Sequence, residues 1–146
     1  MKILFKKCRN TAVMPLRATP SSAGWDIYSA NEDAVIIPSG EIRLIPTGIA
    51  VSPERRDIGL FIFPRSGLSA KYGITLTNSI GVIDPDYRGE IMVALHNHSN
   101  ESVVVESGER IAQFVITPYI VAAFNQVDEL EDTVRGEGGF GSTGRK

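Results

Sequence analysis

The chain of 146 residues carries 15 Lys and Arg against 17 Asp and Glu, a formal charge of -2, with 42% hydrophobic and 22% charged residues. That length suits one domain with a real core, and the acidic balance argues against a protein that holds DNA or RNA by neutralising many phosphates. No apolar run reaches the roughly 18 residues of a membrane span, so any anion it binds should be small and held in a locally positive pocket.

The opening MKILFKKCRN sets lysines on both sides of a very short apolar run, without the longer core and cleavage site of a signal peptide. No leader is expected. Its one cysteine, Cys8, leaves no internal disulfide and fits a reducing compartment, so a cytoplasmic location is the expectation. Next comes AGWDIYSA (23–30), an apolar strand with Asp26 beside Trp25. Asp26, if buried, needs a partner, and a metal-bound water and a backbone hydrogen bond both qualify.

Short apolar runs punctuated by Gly, Pro, Asn and Ser then recur at 34–37, 42–45, 49–51, 59–63, 91–96, 102–105 and 111–117. Many short strands and no sustained 3.6-residue periodicity predict an all-β sandwich, jelly roll or barrel, with a helical turn or two over 66–71. In PRSGLSAKYGI (64–74) a strand stops at a proline and offers Arg65, Ser66 and Gly67 at a strand-to-turn junction. That set suits a phosphate cradle or, more blandly, a turn capped by Ser66.

Within NSIGVIDPDYRGE (78–90) the pattern reads as a hairpin, with apolar arms around an Asp-Pro-Asp turn. Asp84 follows two apolar residues, where partial burial would make it a better proton acceptor, and Tyr87 offers a flat face to a sugar or base. The plain alternative is a turn whose aspartates satisfy backbone amides. His96 and His98 share one strand face, with no third histidine or cysteine nearby to complete a zinc site. In GERIAQF (108–114), Arg110 and Gln113 are oddly spaced and face one side only if a bulge intervenes. The acidic run 128–132 marks the expected end of the core, 1–128. It precedes an arm, 129–146, containing RGEGGFGSTG (135–144), in which glycines let backbone N–H groups approach a phosphate.

Taken in order, the five segments from Ala23 to Gly144 resemble the five motifs of the homotrimeric deoxyuridine triphosphatase (dUTPase) family, most specifically in GVIDPDYRGE and RGEGGFGSTG. Trp25 departs from the Tyr or Phe more usual there. The resemblance implies a jelly-roll-like β barrel whose three subunits together build each active site. It further implies hydrolysis of dUTP to dUMP and pyrophosphate with Mg²⁺, which limits uracil incorporation into DNA and supplies dUMP for dTMP synthesis.

By that resemblance Asp26 holds the magnesium ion through water, and Arg65, Ser66, Gly67 and Gln113 contact phosphates. Asn78 contacts the base with Ile83 beside it, Asp84 is the general base, and Tyr87 stacks under the deoxyribose. Arg135 and Ser142 reach the distal phosphates, Phe140 covers the uracil with Gly141 next to it, and the arm closes over bound dUTP. Two other readings share the scaffold. A dCTP deaminase would release ammonia from dCTP, and a nucleotide-sensing trimer would change partners when dUTP binds.

Overall fold

The computed structural model describes residues 1–139, which contain eleven strands and one short helix. The all-β expectation holds, and every strand pairing is antiparallel. Strands β2 (Gly24–Tyr28), β11 (Arg110–Pro118), β6 (Ile58–Phe63) and β8 (Gly81–Ile83) form a four-stranded sheet in the order β2-β11-β6-β8. Strands β4 (Ile42–Pro46), β9 (Met92–Asn97) and β7 (Ile74–Leu76) form a three-stranded sheet in the order β4-β9-β7. Two ribbons complete the jelly-roll-like barrel: β1 (Ile3–Lys7) with β5 (Ile49–Pro53), and β3 (Val35–Ile37) with β10 (Val103–Val105).

Alternation explains these elements. Along β9, Val93, Leu95 and Asn97 point inward while Met92, Ala94 and His96 do not, as period-2 geometry requires. Val93 and Leu95 join Ile27, Ile45, Leu60, Ile62, Ile111 and Phe114 in one continuous core. Asn97, fully buried, is tolerated because its amide donates to the Ile37 and Glu101 carbonyls at 2.8 and 2.7 Å while its oxygen accepts from Ser99, leaving no polar group unpaired.

Helix α1 (Ser66–Tyr72) follows β6 and ends at Gly73, whose φ of +67° suits glycine at a helix terminus. An added Cβ there would also stand 2.9 Å from the Ser99 backbone nitrogen. Strands β1 and β7 go beyond the elements read from sequence. β1 is five residues ending in two lysines and β7 is three, too short for a periodicity to register until a partner strand completes the ladder.

The hairpin expected over 78–90 is corrected by the pairing. Asp84 to Tyr87 is a true turn, with Tyr87 N–H donating to the Asp84 carbonyl at 3.1 Å. Its two arms diverge, however: β8 pairs with β6, and the chain after the turn enters β9 between β4 and β7. Local sequence specified the turn, while each arm found a better apolar ladder in a different sheet. Past Pro118 no further strand forms among the described residues, and Ile120, Phe124, Leu130 and Val134 lie exposed.

Candidate functional site

One row across three strands assembles the first cluster. Asp26 on β2 lies opposite Gln113 on β11, and Gln113 lies opposite Phe63 on β6, two residues before Arg65. The sheet thus brings together three segments distant in sequence. Arg65 Nε donates to Asp26 Oδ1 at 2.9 Å, and Arg110 Nη1 donates to Asp26 Oδ2 at 3.0 Å. The Asp26 side chain is only 12% exposed, against 26% for Arg65 and 48% for Arg110. Its partner is therefore a pair of guanidiniums, which compensate a largely desolvated charge better than one backbone donor.

Arg110 reaches Asp26 because the strand bulges. Arg110 opposes Tyr28 and Ala112 opposes Ile27, so one extra residue separates them on β11, and that insertion turns Arg110 and Gln113 to the same side. Arg110 belongs to this cluster and was left out of the site read from sequence. Its signal was the odd spacing to Gln113, which only the bulge makes meaningful.

Gln113 lies across Gly24, where an added Cβ would stand 2.3 Å from Oε1, and its Nε2 donates to the Pro64 carbonyl at 3.0 Å. Beside it α1 begins at Arg65 without a side-chain cap, so the first N–H groups of the helix, at Ser66 and Gly67, have no intrahelical partner. Ser66 and Gly67 are exposed, and a Cβ at Gly67 would meet nothing within 4 Å. The cavity these residues enclose has a volume of ≈ 390 Å³ and is lined by Asp26, Arg65, Ser66, Gly67, Gln113 and Ser22 among others. Its outer wall is the turn 19–22, held by Arg17, which donates to the Ser22 carbonyl at 2.8 Å and to Pro20. Arg17 sits over the Trp25 ring at 5.8 Å from its centroid, and the partly buried tryptophan also packs against the core.

The Arg65 guanidinium, free N–H groups, a hydroxyl and an amide line the cavity as a donor set for phosphate oxygens, with the Arg110 guanidinium beside them on Asp26. Among the described residues no group of three or more His, Cys, Asp and Glu stands ready to cage a metal. Asp26 nonetheless fits a hard cation held mainly by phosphates and water. A carboxylate has about four lone-pair sites, and the two arginines use two of them.

The second cluster follows β8. This strand is an edge, paired only with β6 among the described residues, so its outer backbone groups are free to bond a ligand. Asn78 lies exposed at the turn before it, Ile83 ends it, and Asp84 and Tyr87 follow, exposed. The expected partial burial of Asp84 is not found in the single chain, because the turn projects it off the end of the edge strand.

The clusters do not meet. Ile83 opposes Leu60, which puts Asp84 level with Gly59, six residues of extended chain from Arg65 and roughly 20 Å away at about 3.3 Å per residue. Asp26 lies on one edge strand of the sheet, and Asp84 lies just past the end of the strand at the other edge. Arg135 is exposed, its Nε donating to the Gly138 carbonyl at 2.8 Å. Phe140, Gly141 and Ser142 lie outside the described residues.

Comparison with known proteins matches residues 10–144 to the dUTPase family model. The chain is 45% identical over 144 residues to a deoxyuridine 5'-triphosphate nucleotidohydrolase of Desulfitobacterium hafniense, covering 99% of this chain and 95% of that protein. Among solved structures it is similar to the dUTPase of Staphylococcus bacteriophage 80alpha with dUPNHPP, with a TM-score of 0.87, 31% identity and 98% of each chain covered. It is also similar to a mutant dUTPase from phage phi11 of S. aureus, described with a structural Mg(II) ion. That likeness has a TM-score of 0.80 over 90% of this chain and 100% of the other, and at 24% identity it speaks to fold alone.

Proposed function

This chain belongs to the dUTPase family, and from that premise we propose how it hydrolyses dUTP to dUMP and pyrophosphate. Arg65, Arg110, Ser66, Gly67 and Gln113 hold the triphosphate, and Asp26 orients both arginines. Asp84 takes the proton of a water that attacks the α-phosphorus in line, the β- and γ-phosphates leaving together as pyrophosphate. Asp26 would hold a bound magnesium ion through water, and that ion would supply neutralisation of phosphate charge. Uracil binds along the free edge of β8 beside Asn78 and Ile83. Backbone groups there pair with uracil and mismatch cytosine, and the narrow slot excludes a 5-methyl group. Tyr87 lies under the deoxyribose and excludes a 2′-hydroxyl.

The observation that carries this reading is the convergence of Asp26, Arg65, Ser66, Gly67 and Gln113 on one cavity of phosphate donors. The family resemblance implies a homotrimer with shared active sites, and the separation of the clusters supports it. With Asp84 roughly 20 Å from Arg65 by the spacing of β6, a complete site takes its phosphate cradle from one subunit and its β8 edge from another. The exposed apolar residues Ile120, Phe124 and Leu130 support association, since such a stretch is stable only when covered. The core spans 1–128, and the arm, 129–146, brings Arg135, Phe140, Gly141 and Ser142 over the nucleotide. No helix among the described residues is long and apolar enough to cross a membrane, and a cytoplasmic location without nucleic-acid or membrane partners suits the acidic surface.

The test is pyrophosphate release from dUTP, dCTP, dTTP and UTP. Release from dUTP alone is expected, and similar rates on all four would overturn the specificity reading. Mixing an Arg65→Met protein with an Asp84→Asn protein tests shared sites, because exchange of subunits should restore part of the activity. Inactive mixtures under conditions where subunits exchange would show that each chain needs its own pair of clusters.

A further inference from the structure

The turn carrying Asp84 and Tyr87 is anchored at its far end by a side chain outside the mechanism described above. Glu90 Oε1 accepts from the Gly48 backbone N–H at 2.9 Å and from Arg9 Nε at 2.6 Å. Its side chain is 22% exposed, so these bonds form partly out of water. The Gly48 carbonyl in turn accepts from Cys8 N–H at 2.7 Å, and Thr47 donates through both backbone and hydroxyl to the Ile91 carbonyl. The segments 8–9, 47–49 and 90–91 are thereby one hydrogen-bonded unit.

Tyr87 rests on that unit. Its hydroxyl donates to the Glu90 carbonyl at 3.0 Å, and its ring lies so close to Gly89 that an added Cβ would stand 2.3 Å from the hydroxyl oxygen. The ring is otherwise 44% exposed on a turn without a ladder partner. Its position is therefore set largely by where Glu90 stands, and Glu90 is set by Arg9 and Gly48.

We propose that Glu90 and Arg9 are positioning residues for Tyr87, and through it for discrimination between a deoxyribose and a ribose triphosphate. The proposal rests on the reading that Tyr87 lies under the sugar. A 2′-hydroxyl is refused only if the ring cannot retreat, and the ion pair at the root of the turn prevents its retreat.

The test compares kcat/KM for dUTP and UTP in Arg9→Met, Arg9→Lys, Glu90→Gln and Tyr87→Ala proteins, with Tm measured beside each. Arg9→Met and Glu90→Gln should narrow the dUTP preference about five- to tenfold, a fraction of one lost charge-assisted hydrogen bond because the effect reaches Tyr87 indirectly, chiefly by raising turnover of UTP relative to dUTP. Arg9→Lys, which keeps the charge, should recover part of the preference. Arg9 is a surface residue, so its variants decide the matter if Glu90→Gln fails to fold. A lowered Tm with an unchanged preference would show a merely structural clamp and overturn the proposal, provided Tyr87→Ala still loses the preference. If Tyr87→Ala also keeps it, the placement of Tyr87 under the sugar fails, and this proposal fails with it.

Discussion

Replacing Asp26 by Asn keeps the side-chain shape but leaves two guanidiniums facing an amide. The two arginines bond different carboxylate oxygens, and in the amide one of those positions becomes an NH₂ that turns donors toward donors. The wild-type bonds measure 2.9 and 3.0 Å, and a hydrogen bond to a charged group contributes roughly 1.5–3 kcal/mol. One bond survives in weakened form, and Arg110, 48% exposed, turns to solvent at little cost, so the net loss is about 2 kcal/mol. For a domain of this length that lowers Tm by about 4–8 °C. Catalysis should suffer more than stability, because Arg65 loses the contact that aims it into the cavity, and a misplacement of about 1 Å costs on the order of 100-fold. Thermal unfolding by circular dichroism at one fixed protein concentration, with pyrophosphate release from dUTP in parallel, measures both effects. A Tm within about 1 °C of wild type together with turnover within about threefold would refute the claim that Asp26 holds the two arginines in place.

Asp84→Asn should lower turnover by about 10²–10⁴-fold while nucleotide still binds, since the shape remains and the proton acceptor is lost; single-turnover kinetics and a binding titration separate the two. Gly48→Ala should cost about 2–5 kcal/mol in urea unfolding, from the left-handed backbone at φ +69° and from an added Cβ that would stand 2.7 Å from Ala12 Cβ and 2.8 Å from Ala30 Cβ. The Arg9 guanidinium, and next the Gly48 N–H, hold the Glu90 carboxyl below its ordinary range against a desolvation that opposes them. A depressed folded-state pKa stabilises the protein fully above the ordinary glutamate value and loses that contribution as pH falls through the lowered one. The Tm gap between wild type and Glu90→Gln should thus be constant near neutrality and close only below about pH 4.3; Glu32 and Cys8 also face Arg9, so the same scan on Arg9→Met isolates the pair. Truncation after Asp132 should leave the circular dichroism spectrum intact and remove most dUTP turnover, and full activity in that protein would take the arm out of the site.

The strand content, the short helix after Arg65 and the turn at Asp84 were legible because each rests on local rules. Apolar runs alternate, prolines and glycines punctuate them, and Asp-Pro-Asp turns whatever surrounds it. The segments proposed to form the site stood out because they set arginines, serine and aspartate among glycines, while the roles given to those residues came from the family resemblance. The chain could not announce which strands would pair. Strands β1 and β7 are too short to show a period, and the arms around Asp84 pair in different sheets, one with β6 and the other with β4 and β7.

Tertiary structure alone decided the partners of Asp26. One inserted residue in β11 swings Arg110 onto the carboxylate, and a bulge is a property of two paired strands, invisible in either one. It likewise decided that Asp84 lies far from Arg65, since distance along a sheet follows from register and register from the packing of both faces. Composition and motif picked out the residues proposed to do the chemistry, and the ladder determined that one folded chain holds them apart.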